Sequence, residues 1–197
     1  VPIDRYPAVQ AHLLPFRKRL EQRATQQAWY ELQQPQFSFS SGYEKPKIIF
    51  PDIATAPRFT LDLQGHFGSN TTYCIPLADL YLLGLLNSRL LRFCLSSVCA
   101  ALEGPGDPYL RFFGQYLSVL PIRPIDFSNP SDVAKHDRMV ALVQTMLDLN
   151  ERLPNAKTPR ERELIERQIA DTDEAIDQLV YELYDLTPEE IEIVRGH

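Results

Sequence analysis

The sequence predicts an α+β fold: a small, irregular mixed sheet with packed helices, followed by an antiparallel helical hairpin. Three observations predict it. Short runs rich in aromatic and β-branched residues, bounded by Pro or Gly, occur in the earlier part of the chain, as half-buried strands require. Later, apolar residues step by threes and fours from Met139 to Leu183, the period of a helix surface. The charge divides between these regions: residues 1–127 hold 12 Lys+Arg and 10 Asp+Glu, whereas residues 128–197 hold 8 and 16. The expected domains are therefore residues 1–127, of mixed structure, and residues 128–197, an acidic helical hairpin with a short C-terminal helix.

Residues 7–23 carry apolar positions at Val9, Leu13, Leu14, Phe16 and Leu20, a helical pattern interrupted or restarted at Pro15. Strands are expected at Ala28–Leu32, Lys47–Phe50, Arg58–Leu63 and Thr71–Ile75. Asp79 is a suitable N-cap for a helix through Leu80, Leu83, Leu86, Leu90, Leu91 and Leu95, apolar on most sides and so central to the core. Gly104-Pro105-Gly106 ends that region. The stretch Tyr109–Leu120 is a core segment or a packed loop.

From Met139 the series Val143, Met146, Leu149 or Asn150, and Leu153 defines a helix that breaks at Pro154-Asn155. Thr158-Pro159-Arg160-Glu161 is a capping box with Pro at the first helical position. The helix it starts bears Ile165, Ile169, Thr172, Ile176, Leu179 and Leu183, alternating four and three residues like a seam that faces a neighbouring helix. Thr187-Pro188-Glu189-Glu190 repeats the device and launches a last short helix.

Composition excludes several classes. The most apolar run, Leu80–Leu86, is far shorter than the ~20 residues of a membrane span, so a soluble chain is expected. Cys74, Cys94 and Cys99 are odd in number, without a Cys-x-x-Cys pair, and suit a reducing cytoplasm as buried small hydrophobes. The start at Val1-Pro2-Ile3, with no initiator Met or basic leader, reads as a cut inside a longer protein.

Catalytic patterns are missing. An amino-methylating enzyme needs an Asn/Asp-Pro-Pro-aromatic loop, and Gly106-Asp107-Pro108-Tyr109 lacks the second proline. A Pro-Asp…Asp/Glu-x-Lys nuclease needs paired carboxylates for magnesium; Pro51-Asp52 offers only the first half. His12, His66, His136 and His197 are scattered and without metal spacing, and no Gly-x-Ser-x-Gly elbow occurs. No catalytic residue and no metal ligand are expected. What remains is a set of cations and aromatics: Arg17, Lys18, Arg19, Trp29, Tyr30, Lys45, Lys47, Arg58 and Arg111. Cations meet phosphates, and exposed loop residues such as Asn70 and Thr71 can position or read bases. The net charge of −6 does not oppose this, because the acidity lies in residues 128–197.

The wording of several segments adds to this. Tyr6-Pro7 with Leu13, Phe16 and Leu20-Glu21-Gln22-Arg23 comes first, then Trp29-Tyr30-Glu31-Leu32, Lys45-Pro46-Lys47-Ile48-Ile49-Phe50-Pro51-Asp52-Ile53 and Arg58-Phe59. Asn70-Thr71-Thr72-Tyr73, Leu80-Tyr81-Leu82-Leu83-Gly84-Leu85-Leu86-Asn87-Ser88, and Gln115-Tyr116-Leu117 before Leu120-Pro121-Ile122 follow in order. Over residues 3–125 the chain resembles the TaqI-like C-terminal specificity domain of adenine-specific DNA methyltransferases and type IIG restriction-modification enzymes. The run Asp173–Thr187 resembles their closing helix.

The resemblance implies a target-recognition region that holds double-stranded DNA for an N-terminal methyltransferase domain of the same polypeptide, in a bacterial or archaeal cytoplasm. S-adenosylmethionine would bind in that domain and no cofactor in this fragment. Any restriction activity would likewise belong to the parent. Recognition loops differ between members, so no base contact carries over by residue; the candidates for DNA contact are Arg17, Lys18, Lys45, Lys47, Arg58, Asn70, Thr71 and Arg111. The rival expectation is a protein-interaction or assembly module acting through the hairpin.

Overall fold

The structure, a computed structural model, describes residues 2–24, 27–31, 42–102 and 109–196. The chain divides into two compact units, Val1–Gly42 and Tyr43–His197.

In the first unit, helix α1 (Pro7–Leu13), a 3-10 turn (Leu14–Phe16) and helix α2 (Arg17–Glu21) follow one another. Pro15 has no N–H to give and sits in the tight turn, so the helical pattern restarts there as expected. The strand expected from Ala28 does not form in its described part. Ala28 O accepts from Glu31 N at 2.9 Å, and the Glu31 carboxylate takes Ala28 N at 3.0 Å. This local exchange turns the chain and competes with a sheet ladder. Leu32 lies outside the described residues, as do Gly104-Pro105-Gly106 and Asp107-Pro108.

The second unit holds two small antiparallel sheets where one was expected. Strand β1 (Lys47–Pro51) is central between β3 (Thr60–Asp62) and β4 (Thr72–Ile75), while β2 (Ile53–Ala54) pairs with β6 (Tyr109–Arg111), which pairs with β5 (Ala101–Leu102). Asp52 carries the chain from one sheet to the other: its N–H donates to Thr71 O and its carbonyl accepts from Phe112 N. Period 2 sends Ile48 and Phe50 to the buried face, where Phe50 meets Phe59 with ring centroids 5.0 Å apart.

Two helices replace the one expected from Leu80 to Leu95. Asp79 caps α3 (Leu80–Asn87), and extended Ser88 ends it and caps α4 (Arg89–Val98). The Ser88 hydroxyl both donates to Leu85 O and accepts from Leu91 N, so one buried side chain serves a helix end and a helix start. Tyr109–Leu120 resolves into β6 and a one-turn helix, α5 (Gly114–Leu117).

Asn129 caps the long helix α6 (Pro130–Arg152), a 3-10 turn carries Pro154, and α7 (Pro159–Leu183) returns antiparallel, before α8 (Pro188–Arg195). At Thr187 the capping box is complete. At Thr158 only half of it forms, because Glu161 reaches past the cap to Lys157 N.

The boundary expected between residues 127 and 128 is one of charge and not of packing. Met139, Val143, Ile176, Leu179 and Leu183 share one core with Leu83, Leu85, Leu91 and Phe112. A Cβ on Gly84 would lie 2.6 Å from Met139 Sδ and 2.8 Å from Val143 Cγ2, so α3 meets α6 closer than a side chain permits. The connecting segment is tied down as well. Tyr184 donates to Pro121 O at 2.6 Å, Tyr81 donates to Arg123 O, and the Arg123 guanidinium forks onto buried Asp132 at 2.9 and 3.1 Å. Arg123 in turn holds the Asp132 carboxyl below its ordinary value. No helix among the described residues is long and apolar enough to cross a membrane.

Candidate nucleic-acid interface

Strands β3 and β4 flank β1, so their connection, Leu63–Thr71, has to travel from the Lys47 end of β1 to its Pro51 end. That is about 14 Å along the strands at ~3.4 Å per residue, and about 10 Å across them at ~4.8 Å per strand spacing. Nine residues cover it with slack, and every residue from His66 to Thr71 is exposed. A loop longer than its span, on a rigid base, is where binding residues concentrate.

The base is a buried ion pair. Register places Asp62 opposite Lys47, and the Lys47 ammonium meets Asp62 Oδ2 and donates to Tyr43 O. Asp62 also accepts from the backbone N–H of Gln64 (3.0 Å) and His66 (2.8 Å), with His66 Nδ1 2.9 Å from Oδ1. The Lys47 contact above all holds the Asp62 carboxyl well below the usual carboxylate range, with help from His66 and Gln64. One carboxylate therefore shapes the first turn of the loop. Gly65 takes φ 74° there, and a Cβ on it would stand 2.9 Å from Glu44 O. Further on, Phe67 stacks on Tyr43 at 5.7 Å and 21° yet remains largely exposed. Burial and the neighbouring Cys74 raise the Tyr43 hydroxyl above its ordinary pKa.

Lys47 is the correction among the expected contacts. Its side chain has no exposed surface, so the ammonium cannot meet a phosphate; it anchors the loop from beneath. Asn70 and Thr71 are exposed at the far end of that loop, the Thr71 hydroxyl 3.1 Å from Ser69 Oγ. Lys45 and Arg58 are exposed and have no acidic partner among the described residues. Arg111 is half-buried, its guanidinium 4.9 Å above the Phe113 ring, with Tyr73 and Tyr116 also against Phe113. Its Nε is buried without a hydrogen-bond partner among the described residues. In the first unit, Arg17 bonds Glu21 at 2.7 Å and lies over Trp29 at 5.3 Å, whereas Lys18 is exposed.

Tyr43, Asp62, His66 and Phe67 were absent from the sequence-based candidates. The available signal was a carboxylate opening a segment with two glycines, Gly65 and Gly68, between two strands. Among the described residues no group of three or more His, Cys, Asp or Glu could hold a metal. Asp52, the half-motif of a nuclease, spends its backbone joining the sheets, and its Oδ1 is buried without a hydrogen-bond partner among the described residues.

No curated protein matches the chain. Among solved structures the chain is similar to the type IIL restriction-modification enzyme MmeI, solved in complex with DNA, with a TM-score of 0.60 and 13% identity over 95% of this chain and 25% of that one. At that identity the likeness is one of fold, and the chain spans about a quarter of that relative's length. Residues 4–122, which include both sheets, the loop and helices α3 and α4, match the model of the TaqI-like C-terminal specificity domain, and the chain belongs to that family.

Proposed function

We propose that the chain is the DNA-reading region of a restriction-modification enzyme, with Leu63–Thr71 as a loop that enters a groove of the duplex. The observation that carries this reading is the exposed loop clamped at its base by Lys47 and Asp62. Family membership and the fold shared with a DNA-bound restriction-modification enzyme support it. Asn70 and Thr71 would offer donors and acceptors to base edges, and Phe67 an apolar surface for a thymine methyl or a sugar. Lys45 and Arg58 would meet phosphates, which position without specifying. The partner is double-stranded DNA. The finer reading places an adenine-specific methyltransferase domain, with its S-adenosylmethionine site, elsewhere in a longer polypeptide that works in the cytoplasm. The assembly reading is weaker, because the hairpin's seam residues are spent in the core.

The test is selection. The chain is incubated with duplexes bearing a randomised core, and the bound fraction is sequenced. One short motif should be enriched by the unaltered chain and lost or changed when Phe67→Ala and Asn70→Ala are combined, with the thermal midpoint unchanged. A bound pool as random as the input would remove the recognition role.

A further inference from the structure

Helices α4 and α8 meet with three arginines around one opening. Arg89 and Arg92 lie three apart on α4 and so on one face, and Arg195 closes the last turn of α8. Together with Phe93 and Val194 they line a cavity of about 260 Å³. Liquid water takes ~30 Å³ per molecule, so the space admits several waters or one hydrated phosphate group. We propose that this cavity is a phosphate site, which on the DNA reading above receives a backbone phosphate at a place distinct from the loop.

Two of the arginines are already paired with acids, and this is what orients them. Arg89 Nε lies 3.0 Å from Asp177 Oδ2 and its Nη1 3.6 Å from Glu174, while Arg195 Nη2 bonds Glu174. A guanidinium has five N–H donors in a planar fork, so each keeps donors beyond those that Glu174 and Asp177 engage. Arg92 is exposed and has no acidic partner among the described residues. In the first turn of α4 the N–H groups of Arg89, Leu91 and Arg92 are already taken, by Asp177, the Ser88 hydroxyl and the Ser88 carbonyl. Side chains make this site. Two arginines held by acids and one held by none form a preorganised clamp, and a tetrahedral oxyanion is the ligand that matches forked donors from three directions.

Two titrations test it on the whole chain. In the first, inorganic phosphate is added at constant ionic strength while the arginine side-chain N–H resonances are followed. Arg92→Gln, at an exposed position, should abolish a saturable shift seen in the unaltered chain; Arg138→Gln, on α6 beside Glu182 of α7, should not. In the second, the affinity for duplex DNA is measured against salt, and Arg92→Gln should lower the slope of log affinity on log salt by ~0.9 for any sequence. Loss of slope identifies the ligand as a nucleic-acid phosphate. A phosphate shift lost in Arg92→Gln with the slope intact supports the site and assigns it to free phosphate or a nucleotide. A response to phosphate that is unsaturable or unchanged in Arg92→Gln, with the slope intact, overturns the site. If the unaltered chain binds no duplex, the DNA reading fails by itself, and the phosphate titration still decides this one.

Discussion

At the scale of residues, two aspartates with opposite shifts govern how the protein should respond to pH. Asp62 is stabilised as an anion by Lys47, His66 and Gln64, so its folded pKa lies below the ordinary 3.8. Its contribution to stability is complete above that value and is lost as pH falls toward the lowered one. Asp177 behaves the other way. Burial, opposed by Arg89 and reinforced by Asp173 and Glu174, pushes its carboxyl up to about 6. The folded state then binds a proton that the unfolded state has released, so stability should decline as pH rises from about 4 through 6. Urea midpoints across pH 1.5–8 check both. Asp177→Asn should flatten the decline between pH 4 and 6, and an unaltered profile would mean that Asp177 is ionised throughout. Lys47→Ala should lower the midpoint at pH 7 far more than Lys45→Ala, because it leaves a carboxylate in the interior without its cation.

At the scale of elements, the hairpin register is open to a direct comparison. Ile176 is buried on α7 against the α3–α6 layer, whereas Gln178 is half-buried and its amide bonds Glu174 on its own helix. Ile176→Ala should cost ~2–5 kcal/mol, the range for truncating a buried aliphatic residue. Gln178→Ala should stay within about 0.5 kcal/mol, as most substitutions away from the core do. Equal losses in urea unfolding would place the seam elsewhere. Gly84→Ala is the complementary test. Alanine favours a helix by ~0.8–1 kcal/mol over glycine, but its methyl would sit 2.8 Å from Val143 Cγ2. A β-branched residue in a helix has one preferred rotamer and cannot turn away. The strain of overpacking, ~1–3 kcal/mol, should win, and α3 should move from α6; a stabilised Gly84→Ala would show that the two helices separate freely.

At the scale of the whole molecule, the packing of the second unit makes it cooperative across the charge boundary. Residues 43–197 should unfold in one transition by calorimetry and by circular dichroism alike. A fragment of residues 128–197 should not retain the hairpin's stability, because it loses Leu83 and Leu85 from the core, the Pro121 acceptor of Tyr184, and the Arg123 partner of Asp132. Two separable transitions would restore the boundary that charge alone suggests.

The sequence by itself determined the helices of the C-terminal region, because caps and apolar spacing act within one or two turns: Thr158 and Thr187 start helices where they stand, and Pro154 stops one. It also determined the family, through the order of segments along residues 4–122. Local chemistry foretold Asp79 as a cap but not the break at Ser88, since a Leu-rich run reads as continuous until a serine's two hydrogen bonds interrupt it. Of the Leu63–Thr71 loop, the sequence offers Asn70 and Thr71 as exposed polar residues, and the structure leaves them exposed, but its anchor was not legible. Lys47 and Asp62 are 15 residues apart, and nothing near either announces the other. Only antiparallel register sets them face to face, and only burial turns a cation suited to phosphate into a post under the loop. Tertiary structure likewise decided that the acidic hairpin shares the core of the region before it, because Met139 and Val143 on α6 pack against Gly84 of α3, a helix separated from them in sequence.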